Sequence, residues 1–207
     1  VWVTSEADNR VYIVDTNANA VSGAIEVGGR PRAIAISNDC TRAVVTLEND
    51  GAVALLDIPE RKVARVVKLK GEGARPMGVV LSLDARTAYV TTGRGKHVVA
   101  IDTTTGEVPW SVEVGDRPWG LTLSADGNHL YTANGTSNDV SLVDVHTHAV
   151  VRRVSVPGRP WGAARSRPPS AQAERPSVGG DRAETPRGRA RRRAGPGGNA
   201  RRRGEPA

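Results

Sequence analysis

Short apolar runs in strict alternation with polar residues fill most of this chain, and tight-turn residues separate them. Between Val114 and Asp144 the runs Leu121/Leu123, Leu130/Tyr131 and Val140/Leu142 are divided by Gly, Pro, Asn and Asp. A period of two over a few residues, bounded by such breakers, predicts narrow antiparallel strands joined by hairpins. The pattern recurs in register. Arg-Pro stands at Arg30-Pro31, Arg75-Pro76, Arg117-Pro118 and Arg159-Pro160, and an aspartate closes an apolar run at Asp15, Asp57, Asp102 and Asp144. Both series step by 42 or 45 residues. A repeat of about 40–45 residues with four strands per repeat is the spacing of propeller blades. The fold class expected is therefore all-β, a β-propeller of about four blades.

The chain begins part-way through a repeat. Val1 to Thr4 aligns with Leu130 to Ala133, the second strand of a blade, so Val11–Asp15 and Val21–Val27 become the third and fourth strands. Inner strands are predicted at Ala33–Ser37, Gly78–Ser82 and Gly120–Ser124, each after an Arg-Pro turn. Proline suits that position, since it fixes φ and has no N–H to leave unpaired. The second repeat continues through Ala43–Leu47, Ala52–Asp57 and Val63–Leu69. The third runs on through Ala88–Thr92, Val98–Asp102 and Val108–Val114, and the fourth through Leu130–Asn134, Val140–Asp144 and Val150–Val156. Ser37-x-Asp39, Ser82-x-Asp84 and Ser124-x-Asp126 mark the first hairpins, where short polar side chains bond nearby amides. A fifth inner strand starts at Pro160-Trp161-Gly162 and then fails: Leu121 and Leu123 have Ala163 and Arg165 as counterparts. No helix is expected. A ring could close by pairing this last inner strand with the outer strands of the first repeat. Arg165 at a position that should be buried opposes a good closure.

Composition changes sharply at that point. Residues 1–162 carry 17 Lys+Arg against 18 Asp+Glu, whereas residues 163–207 carry 12 Arg, no Lys and 4 acids. The net charge of +7 thus belongs to the tail, and the body is nearly neutral. The division is 1–162, propeller repeats, and 163–207, an Arg/Pro/Gly-rich tail expected to be disordered for want of large apolar residues. Cys40 is the single cysteine, so no intramolecular disulfide is available. No apolar run approaches the roughly 18 residues of a membrane span. The chain opens on Val without a charged-then-apolar leader.

The motifs Tyr89-Val90-Thr91-Thr92, Tyr131-Thr132-Ala133-Asn134 and Asn138-Asp139-Val140-Ser141-Leu142-Val143-Asp144 resemble the YVTN family of β-propellers. The turns Arg117-Pro118-Trp119-Gly120 and Ser124-Ala125-Asp126-Gly127 complete the pattern, which covers residues 1–162. Within that family, Asn134 to Asp144 and Arg159-Pro160-Trp161-Gly162 are most similar to propellers associated with pyrroloquinoline-quinone-dependent alcohol oxidation in bacteria. The resemblance implies more blades than this chain supplies and a periplasmic or extracellular location. It leads to the expectation of a fragment or truncated reading frame, with residues from about 163 onward encoded by a shifted frame.

Ligands of propellers gather at the face where the lead-in to each inner strand meets the hairpin between strands two and three, because concave sites collect side chains from several elements. Here that face would present Arg30, Arg75, Arg117 and Arg159, the indoles of Trp119 and Trp161, and Asn134, Asn138 and Asp139 of the hairpin. Guanidinium groups beside indoles suit an anionic or aromatic ligand, or a partner protein's loop. The competing and preferred reading is architectural, with each Arg-Pro paired to acids of neighbouring blades. No catalytic residue, metal or cofactor is assigned. His146-x-His148 aligns with plain turn positions (Asn17/Asn19 and Thr104/Gly106), His97 and His129 are isolated, and Cys40 has no evident base. Trp2 and Trp110 are expected to pack between blades.

The function expected is a non-catalytic binding or scaffold propeller, with a role beside bacterial alcohol oxidation implied by the resemblance. The first alternative is a propeller enzyme, lactonase-like or a haem-bearing oxidoreductase domain, which would need His, Asp and Glu converging on the channel. The second is weak nucleic-acid association through Arg187–Arg193 and Arg201–Arg203, which lack the interleaved aromatics used for base stacking.

Overall fold

The computed structural model describes residues 1–166; expectations for the rest of the tail, including its disorder and its arginine clusters, lie outside the described residues. The described chain is all-β. Fifteen strands make one three-stranded and three four-stranded antiparallel sheets, the four-stranded ones each meandering outward from its inner strand. The first sheet is β1 (Trp2–Ser5), β2 (Arg10–Asp15) and β3 (Ala20–Glu26); the second is β4 (Pro31–Ile36), β5 (Arg42–Leu47), β6 (Ala52–Asp57) and β7 (Lys62–Lys68). The third is β8 (Val79–Leu81), β9 (Thr87–Thr91), β10 (His97–Asp102) and β11 (Trp110–Glu113). The fourth is β12 (Pro118–Leu123), β13 (His129–Asn134), β14 (Asp139–Asp144) and β15 (Ala149–Ser155).

Strand ends shift by up to two residues from the sequence expectation, with Pro31 and Pro118 inside their strands, and two further details differ. A 3-10 turn, Gly93–Gly95, caps the β9–β10 hairpin where no helical residue was expected, and it ends on left-handed Lys96. The segment from Pro160 onward forms no strand, although it lies where a fifth inner strand would lie. Gly120 shows that placement: a Cβ there would sit 2.7 Å from the Trp161 carbonyl oxygen, as a Cβ on Gly78 would sit 2.7 Å from that of Trp119. Successive inner segments therefore run side by side at a spacing that excludes a side chain.

The sheets cohere face to face through three apolar clusters. Val11, Ile13 and Ile25 of the first sheet meet Ala43, Val45, Ala54 and Leu56 of the second. Val44, Val53 and Leu55 meet Ala88, Val90, Val99 and Ile101 of the third, and Tyr89, Val98 and Ala100 meet Leu130 and Val143 of the fourth. Alternation along each strand sends odd and even residues to opposite neighbours, so one sheet serves two cores. Among the described residues no such cluster joins the fourth sheet to the first; the blades form an open arc.

A hydroxyl latch reinforces each packed interface. Thr4 Oγ1 donates to the Arg32 carbonyl (3.1 Å), Thr46 Oγ1 to that of Met77 (2.8 Å) and Thr91 Oγ1 to that of Trp119 (3.1 Å). The donors hold one repeat position, on the second strand of one blade, and the acceptors another, on the inner segment of the next. Thr46 and Thr91 also accept the N–H of Ala33 (3.0 Å) and Gly78 (2.9 Å), so each hydroxyl ties its own inner strand to its neighbour's. In the fourth blade Ala133 takes the donor position.

Candidate functional site

Hairpin chemistry builds the face that carries the repeated arginines. Arg30, Arg117 and Arg159 all adopt left-handed backbone (φ 56°, 51° and 56°), and Arg75, after the longer second link, does not. Proline steers the preceding residue away from the right-handed helical region. The previous hairpin then fixes it: Asn9 Oδ1 accepts the Arg30 N–H (2.9 Å) and Asn138 Oδ1 accepts the Arg159 N–H (3.0 Å). The Arg30 and Arg117 carbonyls in turn accept the N–H groups of Glu48 and Gly135, both at 3.0 Å.

Two rings of equivalent positions decide what the face offers. One is filled by Glu6, Glu48, Gly93 and Gly135, the other by Arg32, Met77, Trp119 and Trp161. On the first half of the arc the acids neutralise the cations. Arg30 Nε lies 3.0 Å from Glu6 and 3.4 Å from Glu48; Arg32 bonds Glu6 and lies 3.5 Å from Glu48; Arg75 reaches Glu48 at 3.9 Å. The Arg30 hydrogen bond, followed by the Arg32 charge, holds the Glu6 carboxyl below its ordinary range, and Glu6 raises Arg30 in return.

On the second half the acids are replaced by glycine, and the position of Arg32 is taken by Met77 and then by two indoles. Trp119 and Trp161 stack with centroids 3.9 Å apart and planes inclined by 17°. Trp119 lies flat on Gly135, where any Cβ would fall 2.1 Å from the ring, so only glycine leaves the indole its seat. Trp161, the outer plate, keeps 59 % of its surface exposed. Arg117 and Arg159, each two residues before one of the indoles, are exposed, and among the described residues neither has a carboxylate within 4.0 Å.

The remaining residues predicted for this face hold it together. Asn134 is fully buried: its Nδ2 donates to Ser141 Oγ (2.9 Å) and its Oδ1 accepts from Thr132 Oγ1 (3.0 Å), leaving no surface to offer a ligand. Asn138 spends its side-chain oxygen on Arg159, and Asp139 accepts from Ser137 and faces Arg153 at 4.0 Å. The structure thus brings Trp119 and Trp161 together and places Arg30 and Arg75 in an ion-paired group with Glu6 and Glu48. Sequence reasoning missed Glu6 and Glu48; their recurrence at one repeat position was the available signal.

Histidines stand in separate settings. His148 stacks on Trp110 (4.6 Å), which also meets Tyr89 in the core between the third and fourth sheets; His146 Nε2 pairs with Asn128 Oδ1 (3.0 Å); His97 bonds the Gly95 carbonyl. Trp2 packs into the first core. Among the described residues no three His, Cys, Asp or Glu side chains form a metal cage. The inner segments β4, β8 and β12, with residues 163–165, border a groove of about 570 Å³ lined by Ile36, Val80, Leu81, Thr122 and Arg165 among others.

Comparison with known proteins supports the fold. No family model and no curated protein matches the chain. Among solved structures, 1307 chains match, and a shared fold does not by itself carry an activity. Hydrazine synthase of Kuenenia stuttgartiensis aligns with a TM-score of 0.69 and 25% identity over 73% of this chain and 44% of that one. The chain therefore spans less than half the length of the solved chain it matches. The architecture is propeller-like.

Proposed function

We propose that this chain is a non-catalytic binding module whose ligand-facing part is the stacked Trp119–Trp161 pair with Arg117 and Arg159, each two residues before one of the indoles. One observation carries the reading: the same repeat positions hold mutually neutralising Arg and Glu on the first half of the arc, and acid-free indoles with unpaired guanidinium groups on the second. An exposed indole plate with guanidinium groups two residues away along the chain suits a planar anionic ring, or a partner's loop carrying aromatic and acidic side chains. The enzyme alternative would need a cluster of His, Asp and Glu, which does not occur among the described residues, and the nucleic-acid alternative rests on residues beyond the described part.

The YVTN resemblance of Tyr89–Thr92 and Asn138–Asp144 supports placing the module beside a quinone-dependent alcohol oxidation system outside the cytoplasm. The likeness to hydrazine synthase contributes the fold alone. Fluorescence quenching with naphthalene-2,6-dicarboxylate, against neutral naphthalene, tests the binding reading. The dicarboxylate is expected to quench saturably and more tightly than the neutral ring, with affinity lowered about tenfold or more, roughly 1.4 kcal/mol or more, by Trp161→Ala or by joint Arg117→Glu and Arg159→Glu. Quenching equal for both probes, or unchanged by these substitutions, contradicts it.

A further inference from the structure

The outer parts of the second and third sheets enclose a cleft that shares no lining residue with the indole pair. It has two recesses, of about 580 and 220 Å³, and Lys70, Val99 and Ser111 line both. The larger falls within the roughly 300–1,000 Å³ that ligand cavities occupy. Its lining is largely apolar: Val67 and Val99 are buried side chains, and Leu69, Val108 and Pro109 complete it.

Local chain chemistry opens this cleft. β11 holds four residues, where the outer strands β3, β7 and β15 hold seven. Pro109 has no N–H to give a ladder. The strand therefore starts only at Trp110, although the Asp102 N–H still reaches the Glu107 carbonyl (2.9 Å), and Val108 keeps 42 % of its surface exposed. The preceding turn sits directly on β7: a Cβ on Gly106 would fall 2.6 Å from Arg65 Cδ and 3.0 Å from Val67 Cγ2. On the other side, the link from Asp57 to Pro76 is three residues longer than that from Asp15 to Pro31. It brings Lys70 to the junction of the recesses and walls the smaller one with Gly71, Glu72 and Ala74.

Charge is placed unevenly along the cleft. The junction offers the Lys70 ammonium, which among the described residues has no carboxylate within 4.0 Å, and the exposed Ser111 hydroxyl. Lys68 is held by the Asp50 carbonyl (2.8 Å), and His97 of the smaller recess is tied through Nδ1 to the Gly95 carbonyl. The acids stand away from the junction, Glu72 bordering only the smaller recess and Glu107 only the larger. An ammonium and a hydroxyl at the head of an apolar slot match an anionic head group on an alkyl chain, since the charge is paired while the chain leaves water. We propose that this cleft binds a medium-chain alkyl carboxylate, its carboxylate on Lys70 and Ser111 and its chain along Val67, Val99, Val108 and Pro109.

Methyl-resolved NMR titration of the 207-residue chain with octanoate, octan-1-ol and acetate tests the assignment. Octanoate is expected to give saturable shifts at the methyls of Val67, Val99 and Val108, acetate none, and octan-1-ol binding at least tenfold weaker. Lys70→Glu and Val108→Asp should each weaken octanoate at least tenfold; both positions are exposed, so folding does not depend on them. Lys62→Glu, on the same strand but outside the cleft, and Trp161→Ala should leave the affinity unchanged. Absence of saturable shifts, shifts centred on the Trp119 and Trp161 indoles, octan-1-ol binding as tightly as octanoate, or an affinity indifferent to Lys70→Glu overturns the proposal.

Discussion

The turns of this protein place non-glycine residues in the left-handed region at recurring positions. Asn9, Gly51, Lys96 and Asn138 share one such place, Asn19, Arg61, Gly106 and His148 another, and Cys40, Ala85 and Gly127 a third. Asn and Gly tolerate that conformation, but a β-carbon costs about 1–2 kcal/mol there. Cys40 and Ala85 persist because aspartates hold the loops: Asp39 Oδ1 accepts from Ser37 Oγ (2.6 Å) and Thr41 N–H (3.0 Å), and Asp84 Oδ1 accepts from Ser82 Oγ (2.6 Å) and Arg86 N–H (3.1 Å). The Ser37 hydrogen bond, first among several, lowers Asp39 to about 2, and that from Ser124 does the same for Asp126. Ala85→Gly relieves the strain and keeps the turn's backbone bonds, at the cost of a more flexible unfolded chain. The expected balance is a gain of about 0.5–1 kcal/mol, seen as a higher urea midpoint; a lower midpoint contradicts it. These positions were visible in the sequence only through register with Gly127 and Asn138, since turn chemistry alone would not pick a cysteine or an alanine.

At the scale of elements, repeat spacing and alternation were enough to place the strands, because a half-buried strand must alternate and a hairpin must break. The link between blades was less legible. Thr4, Thr46 and Thr91 recur at the step of the repeat, but a threonine in a strand is favoured by backbone shape alone, so its hydroxyl announces nothing until a carbonyl stands opposite. Thr46 is fully buried and serves both the Ala33 N–H and the Met77 carbonyl. Thr46→Val keeps the shape and strands both partners, and should cost about 1–3 kcal/mol in urea denaturation. A change below about 0.3 kcal/mol, well under that range, would mean the latch contributes nothing. The candidate site divides the same way. The pairing of Trp119 with Trp161 follows from their shared repeat position, while the Glu6–Glu48 cluster escaped notice because no motif residue adjoins it in every copy.

Among the described residues as a whole, the four-stranded sheets extend outward from their inner strands, and outer strands such as β7 and β15 are mostly exposed. Cohesion lies in faces shared between neighbouring blades, with the second and third strands at their centre. Stability should then grade from the middle of each sheet to its rim, since amides with few buried neighbours open first. Residue-resolved amide hydrogen exchange measures that gradient directly. The account predicts slowest exchange in β5, β6, β9, β10, β13 and β14, and exchange faster by orders of magnitude at alternate amides of β3, β7, β11 and β15. Equal protection of those outer strands, as if each were paired on both sides, would contradict the radial arrangement.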